Sequence, residues 1–445
     1  MARKYLFVTV LVALFAALAF GTVGAQDDEI TIVFSHIFTD ENRGGFIEQV
    51  AQDFMAANPG INVEIQTANS YRDNLNSALL AAQQGTAPHI VQIFEVGTQL
   101  ALDSGIFVPV EEIATPEQLA TLEDVITPVS NYYAVDDVQW SLPFNSSNPI
   151  LYYNRDIFEA AGLDPDDPPE TYGEVLEACE TIMASQDLQG CIGWNMHGWF
   201  VEQWVAEQGA LLANNDNGRA DRATEVFLNS DAMLNVFNWW DTLADNGWYT
   251  YTGQLEDWNG SDAIFTGQQV AMHITSTADL VNINEAATNN GFELGTGFLP
   301  IPDDAERNGV VIGGASLWFT GGHPQEELEA AVEFALFLGN TQNGAAWHQA
   351  SGYFPIRESA IEELNSAGWF DQNPAFRTAF DQLTQTTPNS ATAGALIGNF
   401  LEVRTIVEEA AQAMVDGGRS PEDVLNEANE RANAALAEFN ATVAN

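Results

Sequence analysis

The chain has 445 residues, 63 of them Asp or Glu and only 13 Lys or Arg, so its formal charge is -50. So acidic a surface repels polyanions, which excludes nucleic acid and anionic lipid as partners. Hydrophobic residues make up 46% of the chain, the share of a globular protein rather than a disordered one.

Residues 1–25 read as an export signal. Arg3 and Lys4 precede an apolar run from Leu6 to Phe20, and Val23-Gly24-Ala25 is a small-residue cleavage pattern before Gln26. The run is too short for a stable membrane span, and no later segment reaches the roughly 18 apolar residues a span requires. No cysteine follows it to carry a lipid, so a soluble, periplasmic or extracellular protein is expected. Removing Arg3 and Lys4 takes two positive charges away and leaves no lysine.

Ile30 to Phe34 reads as a buried strand. Phe46, Ile47, Val50, Phe54 and Met55 then recur at helical spacing over 44–57, and Asn58-Pro59-Gly60 stops that helix. Ile61, Val63 and Ile65 alternate as a strand. A helix carrying Leu75, Leu79 and Ala82 leads through Gly85-Thr86-Ala87-Pro88 to an apolar strand at His89–Phe94. Further helices are expected around 172–185, 199–210, 231–245 and 261–268, with a strand at Val270–Ile274. Strands alternating with helices of this length mean an α/β sheet. Ser141–Phe144 and Gly297–Pro300 are extended, proline-bearing stretches that read as crossings between two lobes.

Cys179 and Cys191 are the only cysteines. In an oxidising compartment they suit one disulfide, and two buried free thiols are the alternative. The six histidines show no ligand spacing, so neither a metal nor a cofactor is expected. There is no G-x-S-x-G elbow, Walker loop or H-E-x-x-H motif, and carboxylate pairs carry no information in so acidic a chain. A binding module is therefore favoured over an enzyme; a secreted glycosidase or phosphodiesterase would lack a nominated catalytic set.

Long, unusual strings narrow the class. Pro143-Phe144-Asn145-Ser146-Ser147 runs through Asn148-Pro149 into Leu151-Tyr152-Tyr153-Asn154-Arg155-Asp156, followed by Ala161-Gly162-Leu163-Asp164-Pro165. Together these resemble the family-1 extracellular solute-binding proteins, the maltose-binding-like group. Phe94–Thr98, Ile312–Trp318, Trp347-His348-Gln349 with Gly352–Ile356, and Leu396–Val407 are similar to its glycerol-3-phosphate-binding members. The resemblance implies a periplasmic-binding-protein fold: two α/β lobes joined by a hinge, with the ligand in the cleft. Lobe 1 is expected over 26–141 and 298–340, and lobe 2 over 142–297 and 341–445. It implies a monomer that passes glycerol-3-phosphate or a glycerophosphodiester to the permease subunits of an ABC importer. A sugar or oligosaccharide is the alternative ligand.

Carried over by position, the resemblance places the ligand site on Tyr71, Glu95, Ser147, Trp199, Ser276, Gly314, Tyr353 and Arg404. Arg404, the hydroxyls of Ser147, Ser276 and Tyr353, and close backbone approach at Gly314 suit a phosphate. Glu95 and Tyr71 suit a glycerol end. Removing Arg404 is then expected to abolish binding with the fold intact. Taken singly, the serines also suit caps or turns, Gly314 a tight bend, and Arg404 a pairing with Glu408 one helical turn away. One departure stands out: the family has two tryptophans here, and the first is replaced by Met196, with Trp194 two residues earlier.

Overall fold

The computed structural model describes residues 29–443, so the expected export signal lies outside the described residues. Two sheets organise the chain. The first contains Ile30–His36 (β1), Ile61–Thr67 (β2), Ile90–Phe94 (β3), Phe107–Val108 (β4) and Leu142–Ser147 (β5). The second contains Pro149–Asn154 (β6), Ile192–Trp194 (β7), Tyr249–Thr250 (β8), Met272–Ser276 (β9) and Leu294–Gly297 (β10). Gly313–Thr320 (β11) returns to the first sheet, giving the order β2-β1-β3-β11-β4, with β5 also paired to β11. The order in the second is β8-β7-β9-β6-β10.

β1 lies parallel to β2 and β3, while β11 runs antiparallel to β3, β4 and β5. Helix Arg43–Ala57 (α1) joins β1 to its parallel partner β2, and helix Tyr71–Gln83 (α2) carries the chain from β2 to β3 on the other side of β1, as parallel crossovers require. Ile47, Val50, Ala51 and Phe54 form the buried stripe of α1, which meets Phe34 and Phe334 in the first core. The second core is rich in aromatics: Trp194, Trp204, Trp239 and Trp240 are buried, and Trp194 stacks on Trp239 at 5.3 Å. Aromatic pairs of this kind add about 0.5–1.5 kcal/mol each beyond the area they bury.

The expected crossing at Ser141–Phe144 is instead part of β5. The passage between sheets falls one strand later, at Asn148. Its side chain donates to Ala379 O (2.9 Å), and its carbonyl accepts from Thr277 N (3.1 Å). A second passage, 298–312, joins β10 to β11. There Arg307 bonds Glu207 and Leu299 O, each at 2.9 Å. The strand expected at Val270–Ile274 lies two residues later because Val270 and Ala271 precede its ladder with β6. Among the described residues, no helix is long and apolar enough to cross a membrane.

Cys179 and Cys191 form a disulfide, with sulfurs 2.10 Å apart, tying helix Tyr172–Ser185 to the strand that begins at Ile192. We predict that it forms on export and contributes about 2–3 kcal/mol in the chain-entropy model. Mass spectrometry of the unreduced exported protein checks this, and two alkylatable thiols would refute it.

Every described arginine is already engaged. Ten have a carboxylate within 4.0 Å, and Arg219 donates to the carbonyls of Gly394 and Tyr132. With no lysine to add to them, most of the acidic surface is left unopposed. Self-repulsion of that surface is screened over roughly 8 Å at physiological ionic strength and over less in stronger salt. The melting temperature should therefore rise from low salt to molar NaCl, and a flat or falling curve would contradict it.

Candidate functional site

Several of the predicted site residues are in contact: Tyr71 with Tyr353, and Glu95 with Arg404. Glu95 follows β3 directly, at the carboxyl end of a parallel strand, where open α/β sheets gather ligands. Tyr71 opens α2, whose first turn is capped by Ser70 Oγ accepting from Asp73 N (3.1 Å). Its ring stacks on Phe94 at 5.3 Å and 8°. Its hydroxyl accepts from Asn145 Nδ2 (2.9 Å) and lies 3.4 Å from the Tyr353 hydroxyl. Gln92 Nε2 fixes Asn145 by donating to its Oδ1 (2.8 Å). Burial raises both tyrosine hydroxyls above their ordinary range, so both remain protonated donors.

Gly313 pairs with Ser147, and Gly314 with Ser146, in the β11–β5 ladder. Gly314 has φ +104°, and a Cβ there would stand 2.0 Å from Asn145 O, so the close strand approach excludes any side chain. Ser147 is buried, and its hydroxyl has no hydrogen bond among the described residues. Ser276 does serve as a cap: its Oγ accepts from Ala278 N (3.1 Å) at the start of a short 3-10 turn. Trp199 lies against Gly313, whose added Cβ would meet Cζ2 at 2.5 Å. The Trp199 indole N–H is buried without an acceptor among the described residues. Six other tryptophan N–H groups are buried without an acceptor as well, so it is the place of Trp199 against Gly313, beside Ser147 in the ladder, that makes it a candidate ligand contact.

Arg404 lies at the centre of the charge. It is 4% exposed and sits on helix Phe400–Val415, packed against Gly198. Its Nη2 donates to Glu95 Oε1 (2.7 Å) and Glu202 Oε2 (2.8 Å), and its Nε to Glu202 Oε1 (2.6 Å). Nη1 has no hydrogen bond among the described residues. Burial alone would depress the guanidinium; Glu202 and Glu95 more than offset that and hold it above its ordinary range. Burial likewise raises the Glu95 carboxyl, with Arg404 opposing. The pairing with Glu408 does not form. Glu408 instead accepts from Gly198 N (2.9 Å), and burial pushes its carboxyl up to about 7.

The structure thus differs from the sequence reading in one respect that matters. Arg404 is not an open fork: two carboxylates already occupy most of its donors, and the triad carries a net negative charge. Glu202 carries no signal in a chain with 63 acidic residues, apart from standing one helical turn beyond Trp199. Trp258 was also missed. It lies 6.1 Å from Trp199 and 5.2 Å from His197, and supplies an aromatic beside Trp199. Met196, which stands where the family has the first of its two tryptophans, is 1% exposed and belongs to the core. Two small cavities of about 10 Å³ each lie beside this triad, and Arg404 itself lines one of them. One is lined by Glu95, Glu202 and Tyr132, the other by Gly198, Glu202 and Val403.

Folding also brings together two groups of ligand-type side chains that sequence spacing hides, His89/His323/Glu327 and His197/Glu256/Glu408. In the first, His89 Nδ1 accepts from Val33 N (3.0 Å), which places the ring proton on Nε2, 2.9 Å from Glu327. That tautomer donates to the carboxylate and offers no lone pair to a metal there. In the second, His197 Nδ1 likewise accepts from Trp199 N (3.0 Å) as a helix cap.

Residues 49–378 match the family model described as bacterial extracellular solute-binding protein. The chain is 32% identical over 430 residues to the sn-glycerol-3-phosphate-binding periplasmic protein UgpB of Escherichia coli K12, covering 95% of this chain and 96% of that one. It is 33% identical over 435 residues to the protein of the same name from Salmonella paratyphi A, covering 96% and 97%. Among solved structures it resembles UgpB from Mycobacterium tuberculosis in complex with glycerophosphocholine, with TM-score 0.75, 19% identity and coverage of 92% and 98%. It also resembles the GacH receptor of Streptomyces glaucescens, with TM-score 0.76, 16% identity and coverage of 92% and 99%. At these identities the structural likenesses establish the two-lobed, maltose-binding-like fold.

Proposed function

The chain belongs to the bacterial extracellular solute-binding proteins, and from that premise we propose that it captures a glycerophosphodiester or glycerol-3-phosphate and delivers it to the permease of an ATP-driven importer. It acts as a monomer, by lobe closure without chemistry. The lobes hinge at Asn148 and over 298–312, the two stretches that join the sheets described above. A glycerophosphodiester is larger than either cavity beside Arg404, so entry requires the lobes to part.

What supports the reading is a buried guanidinium whose Nη1 has no hydrogen bond among the described residues, together with the buried, unpaired Trp199 N–H and the buried Ser147 hydroxyl. Phosphate oxygens are acceptors for all three donors, and a charge-assisted contact with a guanidinium is the strong kind. A neutral oligosaccharide has little use for a buried arginine. The aromatic pair Trp199 and Trp258, with Glu256 and Glu408 nearby, suits a cationic headgroup such as choline.

Glycerophosphocholine is therefore predicted to bind at least as tightly as glycerol-3-phosphate, with Trp199 contributing about 0.5–2 kcal/mol through the headgroup. Competition calorimetry on the wild type and Trp199→Ala tests both halves. Clear preference for glycerol-3-phosphate would contradict the first half. Equal weakening of both ligands by Trp199→Ala would contradict the second.

A further inference from the structure

Glu202 is the one residue that contacts Arg404 twice, and neither composition nor family resemblance pointed to it. Its carboxylate reaches Arg404 through Nε at 2.6 Å and Nη2 at 2.8 Å, with the side chain 13% exposed. Glu95, 6% exposed, holds Nη2 from the first sheet. One carboxylate would neutralise the guanidinium. The second makes the group formally acidic overall, in a place that water screens only in part.

We propose that Glu202 sets the charge of the phosphate this cleft accepts, favouring a singly charged phosphodiester over a doubly charged phosphomonoester. The inference rests on the reading of the cleft as a glycerophosphate site. A phosphate on the uncommitted Nη1 would lie roughly 6 Å from the Glu202 carboxylate, where one additional negative charge weakens binding by about tenfold at an effective dielectric of about 40, between protein and bulk water. Glu202 also orients Arg404, but orientation serves both ligands equally. Charge separates them.

The groups around this charge are Glu95 at the end of β3, Arg404 and Glu408 on helix Phe400–Val415, His197 at the cap of helix Gly198–Glu207, Arg72 on α2, Glu256, and Arg219 beside Tyr132. Of these, Glu408 gains charge near pH 7. It would add to any discrimination above that pH, so Glu408→Gln is measured in parallel.

The test is titration calorimetry with glycerol-3-phosphate and glycerophosphocholine, on wild type and Glu202→Gln at pH 8, and on wild type and Glu408→Gln also at pH 5. In the wild type the affinity ratio should favour the diester at pH 8. It should narrow about tenfold at pH 5, where the monoester has taken up its second proton (second ionisation near pH 6) and the diester is unchanged. Glu202→Gln should narrow the ratio at pH 8 by about tenfold, through tighter monoester binding. Glu408→Gln should keep a ratio that depends on pH. Equal changes in both affinities on Glu202→Gln would reduce Glu202 to a positioning role and overturn the proposal. If that variant does not fold, a wild-type ratio independent of pH overturns it instead. Failure of both phosphates to bind the wild type would sink the reading of the site itself, a separate outcome from an unchanged ratio.

Discussion

Arg404→Ala is expected to remove measurable phosphate binding and also to lower stability by about 3 kcal/mol at pH 8. From sequence, this variant should spare the fold. The structure revises that, because Arg404 is buried between Glu95 and Glu202 and its removal leaves two carboxylates facing each other out of water. The binding loss follows from one charge-assisted contact, at least about 2 kcal/mol or a factor of about thirty. The stability loss has a pH signature. Burial already holds the folded Glu95 carboxyl above its ordinary range, and loss of the guanidinium raises it further. A carboxyl raised in the folded state takes up its proton before the unfolded chain does, so the variant regains stability as pH falls through that raised value and loses it as pH rises. Urea unfolding of wild type and variant at pH 8 and pH 5 should show the gap closing at the lower pH. A constant gap would mean that Arg404 contributes packing rather than charge.

Gly314→Val is expected to be worse, with a loss of more than about 3 kcal/mol and little soluble protein. Two costs add. Its φ of +104° lies in a region that branched side chains avoid, and its Cβ would stand 2.0 Å from the Asn145 carbonyl oxygen. The obstacle is backbone in the neighbouring strand, which cannot rotate away. Gly45, inside α1 with nothing within 4 Å of an added Cβ, is the control: Gly45→Ala should unfold at or somewhat above the wild-type denaturant concentration, since alanine favours a helix over glycine by up to about 1 kcal/mol. Equal stability of Gly314→Val and wild type would show that the strands can part at this point.

Much of the fold was legible because its parallel units write their periods plainly. Ile47, Val50 and Phe54 mark the buried face of α1, and Asn58-Pro59-Gly60 ends it as expected. β5 was misread as a crossing because Pro143 cannot donate to a ladder. It is accommodated at a register shift, where Pro143 faces Ser316 and Asn145 faces Ala315, leaving Phe144 as the extra residue of a bulge. In the cleft, residue types with rare strings around them could be placed in advance: Tyr71, Glu95, Tyr353 and Arg404 do meet. What sequence could not supply was who pairs with whom. Glu202 and Arg404 are 202 positions apart, and one glutamate among so many acids is silent until folding selects it. Trp258 is hidden for the same reason, since it joins Trp199 only through the fold.

The central claim is that this acidic protein uses a buried arginine to hold a phosphate-bearing ligand. Titration calorimetry of the mature protein with glycerophosphocholine, glycerol-3-phosphate and maltose tests it most directly. Saturable one-to-one binding of the phosphates, with no heat from maltose, is the predicted result. Saturable binding of maltose with neither phosphate bound would contradict the account.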